Sequence, residues 1–486
     1  MNYRLIVNLT GKMLRIEALF LLFPLVVALI YRGGDYAAFL WAILAVVLAS
    51  LALSFIKPKD KKFRPKDAFA AAALIWLCLS LFGALPFYFS GCFKSIIDCI
   101  FESISGFTTT GASVLTEIES LPKGILFWRS FTHWIGGMGV LMLMLAVMPS
   151  MNASSVHLLR AESTGPSPEK IVPKIRETAK IMYLIYFAMT VALAVFLRVA
   201  GLPVYDSLIS AFSTAGTGGF SSMNASIGAY HNVAAEIIIT TFMFLFGISF
   251  TLYFLLLGRN FKAVLKDEEL RLYFGIVIAA IVIITLNTSG LYGGFAQALR
   301  HSSFQVSSII STTGFATTDF NLWPTLSQVI LVFLMVTGCC AGSTGGGIKL
   351  VRILLLLKAG RIELDKILHP GSVKAVTVNK KTMNRDIVSK TALFFFVYFA
   401  IFFVSTTLVS IECKDITTSA TAVIASLSNI GPGLGVVGPA GNFSSFTAFS
   451  KIVLSFCMIA GRLEFFPVLV LFAPSAWKKV RHKIKI

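Results

Sequence analysis

Apolar residues in this chain gather into runs of about twenty, the length an α-helix needs to cross the hydrocarbon core of a bilayer. Two such runs, 16–31 and 36–56, come first, joined by a short turn carrying Arg32 and Asp35. A basic stretch, 57–66, follows. From residue 69 onward one pattern recurs four times: a long apolar run, a shorter amphipathic run closing on Ser, Thr and Gly, and a second long apolar run. The triplets fall at 69–90, 93–108 and 124–148; at 181–200, 204–216 and 234–257; at 272–290, 297–312 and 326–357; and at 390–411, 415–428 and 448–474. The short runs cannot reach across a bilayer, and each ends in residues that break helices. They read as re-entrant half-helices, which are tolerated at membrane depth only where protein or water covers the open backbone. The pattern therefore predicts an all-α polytopic membrane protein. Two N-terminal transmembrane helices (1–66) precede four helix–pore loop–helix repeats (67–150, 151–260, 261–360 and 361–486) arranged with pseudo-fourfold symmetry around one central pore, the last ending in a basic tail.

Composition agrees with this reading. Of 486 residues, 56% are hydrophobic and only 13% charged, with a mean hydropathy of +0.82; soluble domains carry about 25% charged residues. A formal charge of +19 would ordinarily raise nucleic acid as a partner. Here the positive residues crowd into loops instead: Lys57, Lys59, Lys61, Lys62, Arg64 and Lys66 in one, and Lys478, Lys479, Arg481, Lys483 and Lys485 in the tail. No basic face with interleaved aromatics exists, which excludes nucleic acid, whereas Lys/Arg-rich short loops mark the cytoplasmic side of a membrane. With Arg4, Lys12 and Arg15 placed inside, ten crossings put 57–66, 150–180, 258–271, 358–389 and the tail inside as well. Both termini are then cytoplasmic, and every short run enters from outside. The first apolar run lacks a cleavage site and reads as a retained helix. Seven cysteines form neither a metal spacing nor a disulfide framework, and Cys339–Cys340 are adjacent, against the usual bridge geometry. No polar catalytic cluster is present, so the chain is not read as an enzyme.

The chemistry lies where the short runs end. Related tetrads stand there: Thr109-Thr110-Gly111-Ala112, Thr217-Gly218-Gly219-Phe220, Thr312-Thr313-Gly314-Phe315 and, most divergent, Asn429-Ile430-Gly431-Pro432. A dehydrating cation needs several oxygens at once, and rings of backbone carbonyls replace its hydration shell. Four copies around an axis supply such rings. Aiming successive carbonyls to one side needs backbone angles that glycine adopts freely, and the preceding half-helix directs its negative end at the ion path. No acidic residue lies in any tetrad, which favours a large monovalent ion over calcium. Glycine and threonine also serve simply to pack membrane helices, but four tetrads in register, each after a half-helix and between two spans, exceed what packing requires. On the first half-helix, Asp98 and Glu102 are expected to tie the helix down or to attract cations at the mouth.

Two further features stand near the middle of predicted spans. The glycine-rich segment from Thr337 to Lys349, with Gly345, Gly346 and Gly347, interrupts the last run of the third repeat. It reads either as a kink for close packing or as an intramembrane loop crossing the pore as a gate; without a preceding strand it is no phosphate cradle. Arg462, read as the one basic residue well inside a span, is expected to line the pore near that loop or to pair with Glu464. His133, in a glycine-rich stretch of the first repeat, reads as a hydrogen-bonded core residue.

In these tetrads, in the extra N-terminal pair of helices and over essentially its whole length, the sequence resembles the membrane subunits of bacterial Trk potassium-uptake systems (TrkH/TrkG-like, of the Trk/Ktr/HKT superfamily). The resemblance implies a K⁺ selectivity filter formed by Thr110, Gly111, Gly218, Gly219, Thr313, Gly314, Ile430 and Gly431, with potassium preference because glycine stands in all four copies. It supports the gate reading of Gly345–Gly347 with Arg462. It also implies a bacterial inner-membrane location, a homodimer, and a peripheral cytosolic regulatory partner with nucleotide-binding (NAD/ATP) domains, any nucleotide acting only through that partner. The basic inner face could equally serve anionic lipid. The alternative function is a potassium secondary transporter coupled to protons or sodium.

Overall fold

Lipid offers a backbone no hydrogen bonds, and the chain answers with helices almost throughout. The computed structural model describes residues 1–58, 65–139, 175–371, 374–413 and 415–474. The core of the basic loop (59–64), most of the 150–180 loop, residues 140–148 of the 124–148 run and the basic tail lie outside the described residues.

Helices α1 (Tyr3–Phe20) and α2 (Leu22–Tyr31) together make the first crossing, and α3 (Tyr36–Ser54) makes the second. The side chain of Asn2 caps α1 by accepting from Leu5 N (3.3 Å). Arg32, in the left-handed region, ends α2. α1 and α3 approach closely where Gly11 lies against Leu53 and Ser54, and Ser50 Oγ donates to the Gly11 carbonyl at 2.7 Å. Small residues at such contacts let backbones come together in the absence of a hydrophobic drive between helices. Leu19, Ile30, Trp41 and Leu48 remain on the outer surface, as lipid-facing residues should.

The first repeat comprises α4 (Pro65–Gly83), α5 (Leu85–Ser90), the half-helix α6 (Ile96–Phe107) and α7 (Lys123–Gly137). The second has α8 (Ile175–Val199), the half-helix α9 (Val204–Gly216), α10 (Val233–Phe246) and α11 (Phe250–Leu257), with a short α12 (Phe261–Leu265) leading on. The third has α13 (Glu268–Thr288), the half-helix α14 (Phe295–Ile310), α15 (Thr325–Thr337) and α16 (Leu350–Leu368). A two-strand hairpin, β1 (Thr377–Val378) and β2 (Lys381–Thr382), precedes the fourth: α17 (Arg385–Ser410), the half-helix α18 (Ile416–Leu427), α19 (Ala448–Arg462) and α20 (Phe466–Phe472). The N-terminal helices are continuous with the first repeat through one buried cluster that includes Leu14, Ala42, Trp76, Phe107 and Trp128.

Among the described residues, the single helices long and apolar enough to span a membrane are the N-terminal pair and the first long element of every repeat: 3–31, 36–54, 66–90, 177–199, 268–288 and 385–410. In the second, third and fourth repeats the second long run, read from the sequence as one crossing, is broken instead, and in the first only its residues 124–139 are described. α7 stops at Gly137, α10 and α11 meet at a 93° bend, residues 338–349 separate α15 from α16, and left-handed Glu464 and Phe465 (φ 54° and 66°) separate α19 from α20. Apolar runs record burial in lipid or protein but not straightness, so hydropathy passed over breaks made by Gly-Ile-Ser and by Leu-Glu-Phe. The breaks fall where these inner helices pass the ends of the half-helices. Gly136 and Gly461 there lie directly against the carbonyls of Phe107 and Leu427, with no room for a side chain.

Replacing Gly11 by leucine overpacks the α1–α3 contact, and a loss of about 1–3 kcal/mol is expected. Melting of the detergent-solubilised protein measures it, and ion preference in a flux assay should not change, because this contact lies outside the repeats.

Candidate functional site

Each half-helix ends in the same device. The residue before the centre of each tetrad takes left-handed angles: Thr109, Thr217, Thr312 and Asn429 have φ of 55°, 54°, 62° and 55°. Such angles are uncommon outside glycine, and four at one structural position mark a shared constraint. The following N–H turns back into its half-helix: Thr110 to Ser105 O (2.9 Å), Gly218 to Ser213 O (2.9 Å), Thr313 to Ser308 O (2.8 Å) and Ile430 to Ala425 O (2.8 Å). This is the six-to-one bond that closes helix C-termini. The chain then leaves through Gly111, Gly219, Gly314 and Gly431, at φ 77°, 78°, 81° and 97°.

The four strands close on one another in order. A Cβ on Gly111 would overlap the carbonyl oxygen of Gly218, one on Gly219 that of Thr313, and one on Gly314 that of Ile430, while one on Gly431 would lie 2.7 Å from Thr110 O. Each glycine therefore admits the carbonyl of the next repeat, and the fourth returns to the first. All eight residues singled out from the sequence for this site, including the divergent Ile430 and Gly431, sit in that ring, and the C-terminal ends of all four half-helices converge on it. Side chains brace it from behind. Thr108 and Thr110 hydroxyls meet at 2.8 Å, those of Ser311 and Thr313 at 2.7 Å, and Asn429 Nδ2 donates to Thr110 Oγ1 (3.0 Å) and Met458 O (2.9 Å). His133 is a core residue, stacked on Phe220 at 4.2 Å between ring centres.

Two ion pairs brace the first half-helix. Glu102, fully buried, accepts from Arg129 Nε (2.8 Å), Ser113 Oγ (2.8 Å) and Val114 N (3.0 Å). Arg129 also reaches Ser221 O of the second repeat (3.4 Å) and lies over the Phe220 ring at 4.1 Å. Asp98 pairs with Lys451 of α19 at 2.6 Å. Of the two roles open to Asp98 and Glu102, the structure places both in bonds that tie the half-helix down. Arg462 is also not the one basic residue inside a span: Arg129, Lys349 and Lys451 are buried too. Each stands within an apolar run, Lys349 with Arg352 three residues on.

The segment 338–349 is a loop folded against the start of the ring. Gly346 N donates to Thr312 Oγ1 (2.7 Å), and Gly345 and Gly346 have no room for a Cβ beside Ser311 O and Ser428 O. Lys349 turns its ammonium back to the Gly345 carbonyl. Arg462 donates to Thr344 O (2.8 Å) in the loop and to Gly136 O (2.5 Å) and Gly137 O (2.6 Å) in the first repeat. Glu464, the candidate partner of Arg462, forms an ion pair with Arg352. Gly345, Gly346, Gly347 and Arg462 thus lie together on the side of the ring where the half-helices end.

Fold and ring together define a multi-pass membrane protein of the four-repeat pore class. A family model described as "TrkH: Cation transport protein" matches residues 36–479. The chain is 38% identical to the Trk system potassium uptake protein TrkH of Salmonella typhimurium, with 99% of this chain and 100% of that one covered. It is 31% identical to the Trk system potassium uptake protein TrkG of Escherichia coli K12, covering 98% and 99%. The crystal structure of the potassium transporter TrkH from Vibrio parahaemolyticus superposes with a TM-score of 0.89 at 34% identity, covering 98% of this chain and 100% of that one. The chain belongs to the TrkH family of cation transport proteins.

Truncating Arg129 to alanine strands a buried carboxylate at Glu102, and a loss of about 3–5 kcal/mol is expected. Thermal melting in detergent measures it, and adding Glu102→Gln, which removes the charge, should recover part of the loss.

Proposed function

We propose that the protein takes up potassium across the bacterial inner membrane through the four-strand ring, with loop 338–349 as the gate. The observation that carries this reading is the closure of the strands through Gly111, Gly219, Gly314 and Gly431. A closed set of backbone carbonyls offers a desolvated monovalent cation several neutral oxygens at once. The half-helix ends add partial negative charge at no cost in fixed anions. Glycine in all four copies, and the similarity to potassium uptake proteins and a potassium transporter, favour K⁺ as the cargo. The repeats all run in one direction, whereas many secondary transporters pair inverted repeats around a midplane site; this supports conduction through a pore over coupled exchange.

In this reading, loop 338–349 obstructs the path at the inner end of the ring and Arg462 holds it there, its positive charge adding a barrier to cations. Opening requires the Arg462–Thr344 bond to break. Control comes from outside the membrane domain, through a cytosolic nucleotide-binding subunit of the Trk system, with two copies of this chain in the assembly.

Radioactive rubidium uptake into proteoliposomes tests the filter. Native uptake should be blocked by potassium at concentrations far below those of sodium needed for the same effect, and Gly111→Ser should reduce that preference by about tenfold, the equivalent of ~1.4 kcal/mol. Uptake indifferent to both ions and to the substitution overturns the filter assignment. Deleting Gly345–Gly347, or replacing Arg462 by glutamine, should raise basal flux in the absence of any other protein. Flux unchanged by either overturns the gate.

A further inference from the structure

Both ends of the loop rest on one carboxylate that the ion path itself does not use. Glu269, in the first turn of α13, is 9% exposed, and its Oε1 accepts two backbone N–H groups: from Ala341 at 2.7 Å and from Val351 at 2.9 Å. Ala341 lies on the arm of the loop that leaves α15, whereas Val351 is the second residue of α16, into which the loop returns. One oxygen thus joins two points on opposite sides of the glycine-rich segment.

The bond to Val351 also does the work of a helix cap. A helix N-terminus leaves its first N–H groups without partners inside the helix. Lys349, at the capping position of α16, supplies no side-chain acceptor and instead reaches back to the Gly345 carbonyl. The carboxylate comes from α13, where it also meets the positive end of the α16 dipole. Its support is fixed. Asp267 caps α13 by accepting from Leu270 N (2.8 Å), and Asp267 Oδ2 and Glu268 N bond Asn379 of the hairpin at 2.7 Å and 2.9 Å. Glu268 pairs with Lys358 of α16 at 2.5 Å.

We infer that Glu269 is a latch: a positioning residue that holds the loop in its obstructing position by stapling both of its ends to α13. The inference rests on the reading of loop 338–349 as the gate. Displacing the loop from the ring requires the Ala341 arm to move relative to the start of α16, and the shared acceptor resists that movement. Charge-assisted hydrogen bonds are the strong class, so removing the acceptor should shift the closed–open balance by about tenfold toward open.

The test is rubidium influx into proteoliposomes containing the full chain alone. Glu269→Ala should raise basal influx about tenfold. Glu269→Gln, which keeps an acceptor oxygen without the charge, should give a smaller rise. The preference for potassium over sodium should be that of the native protein in both, since the ring is untouched. Cys340, buried in the loop, supplies a second readout. In a background with the other cysteines changed to serine, Glu269→Ala should speed its reaction with a thiol reagent. A purely structural role for Glu269 predicts lower influx, not higher. Influx at or below the native level in Glu269→Ala, with the Gly345–Gly347 deletion still raising it, overturns the latch and leaves the gate standing. Influx unchanged in both overturns the gate and the latch with it. If the alanine variant fails to fold, Glu269→Gln decides alone: a rise supports the latch and native influx overturns it.

Discussion

A backbone that leaves its helix inside a bilayer must find hydrogen-bond partners without water, and most of the distinctive chemistry of this protein follows from that requirement. Four half-helices end at membrane depth and a twelve-residue loop, 338–349, runs there too. Each open end is closed by a specific device. The six-to-one bonds at Thr110, Gly218, Thr313 and Ile430 return the chain to its own half-helix. The loop bonds back to α15 at Val336 O and Thr337 O and draws further donors and acceptors from Thr312, Arg462, Lys349 and Glu269. Unsatisfied groups at this depth cost several kcal/mol each, so the polar residues inside the membrane are placed by the irregular backbone they serve.

The same constraint explains why so many charges are buried in a chain with so few. An isolated ion in the bilayer is costly, and charges there are paired or bonded to carbonyls. Glu102 with Arg129, Asp98 with Lys451 and Arg352 with Glu464 each join different repeats or elements. Van der Waals packing between apolar helices has little to distinguish one register from another in lipid. A buried pair with a single geometry does, and both pairs fix the first half-helix, whose C-terminal end enters the ring. Arg462 is satisfied differently, by three carbonyls from two repeats. Those three bonds tie the loop to the first repeat.

The repeats, the half-helices and the residues of the ring were readable in the sequence because they are written in local pattern. Run length separates 93–108 and 415–428 from crossings, and a glycine at the exit of each short run, preceded by Thr-Thr or Thr-Gly in the first three, states the backbone geometry directly. Even the fourth tetrad, Asn429-Ile430-Gly431, falls into register, since glycine at the exit position is what the close approach of the neighbouring carbonyl demands. The breaks in α10–α11 and α19–α20 were hidden because apolar composition is the same in straight and bent segments. Arg129 and Glu269 were hidden for another reason. Their partners, Glu102, Ala341 and Val351, are distant in sequence, and two of the three are backbone groups that no residue type announces. Charges near or within apolar runs are the available signal, and they point to Asp98, Glu102 and Arg462 without naming the groups they bond.

Pseudo-fourfold symmetry holds in the ring and fails on its inner side, and the difference follows from which atoms each part uses. The ring uses backbone. Ile430 stands where threonine or glycine stands in the other repeats, yet its N–H, its carbonyl and the following glycine occupy equivalent places, while its side chain is buried in the core with Ile424 and Leu434. Substitution at such a position changes packing and leaves the oxygen in place, so the ring tolerates divergence among repeats. The inner side uses side chains and one inserted loop. The third repeat supplies residues 338–349, the fourth Arg462, the first the carbonyls of Gly136 and Gly137. Four loops of this size would compete for one axis; this single loop contacts Thr312 and Ser428, at the ends of the third and fourth half-helices, and in the proposed reading obstructs the path there. An obstruction built once can be removed by moving one segment, without disturbing the symmetric set of carbonyls. In the proposed reading, that separation lets the path be opened and closed while its selectivity stays fixed by the backbone.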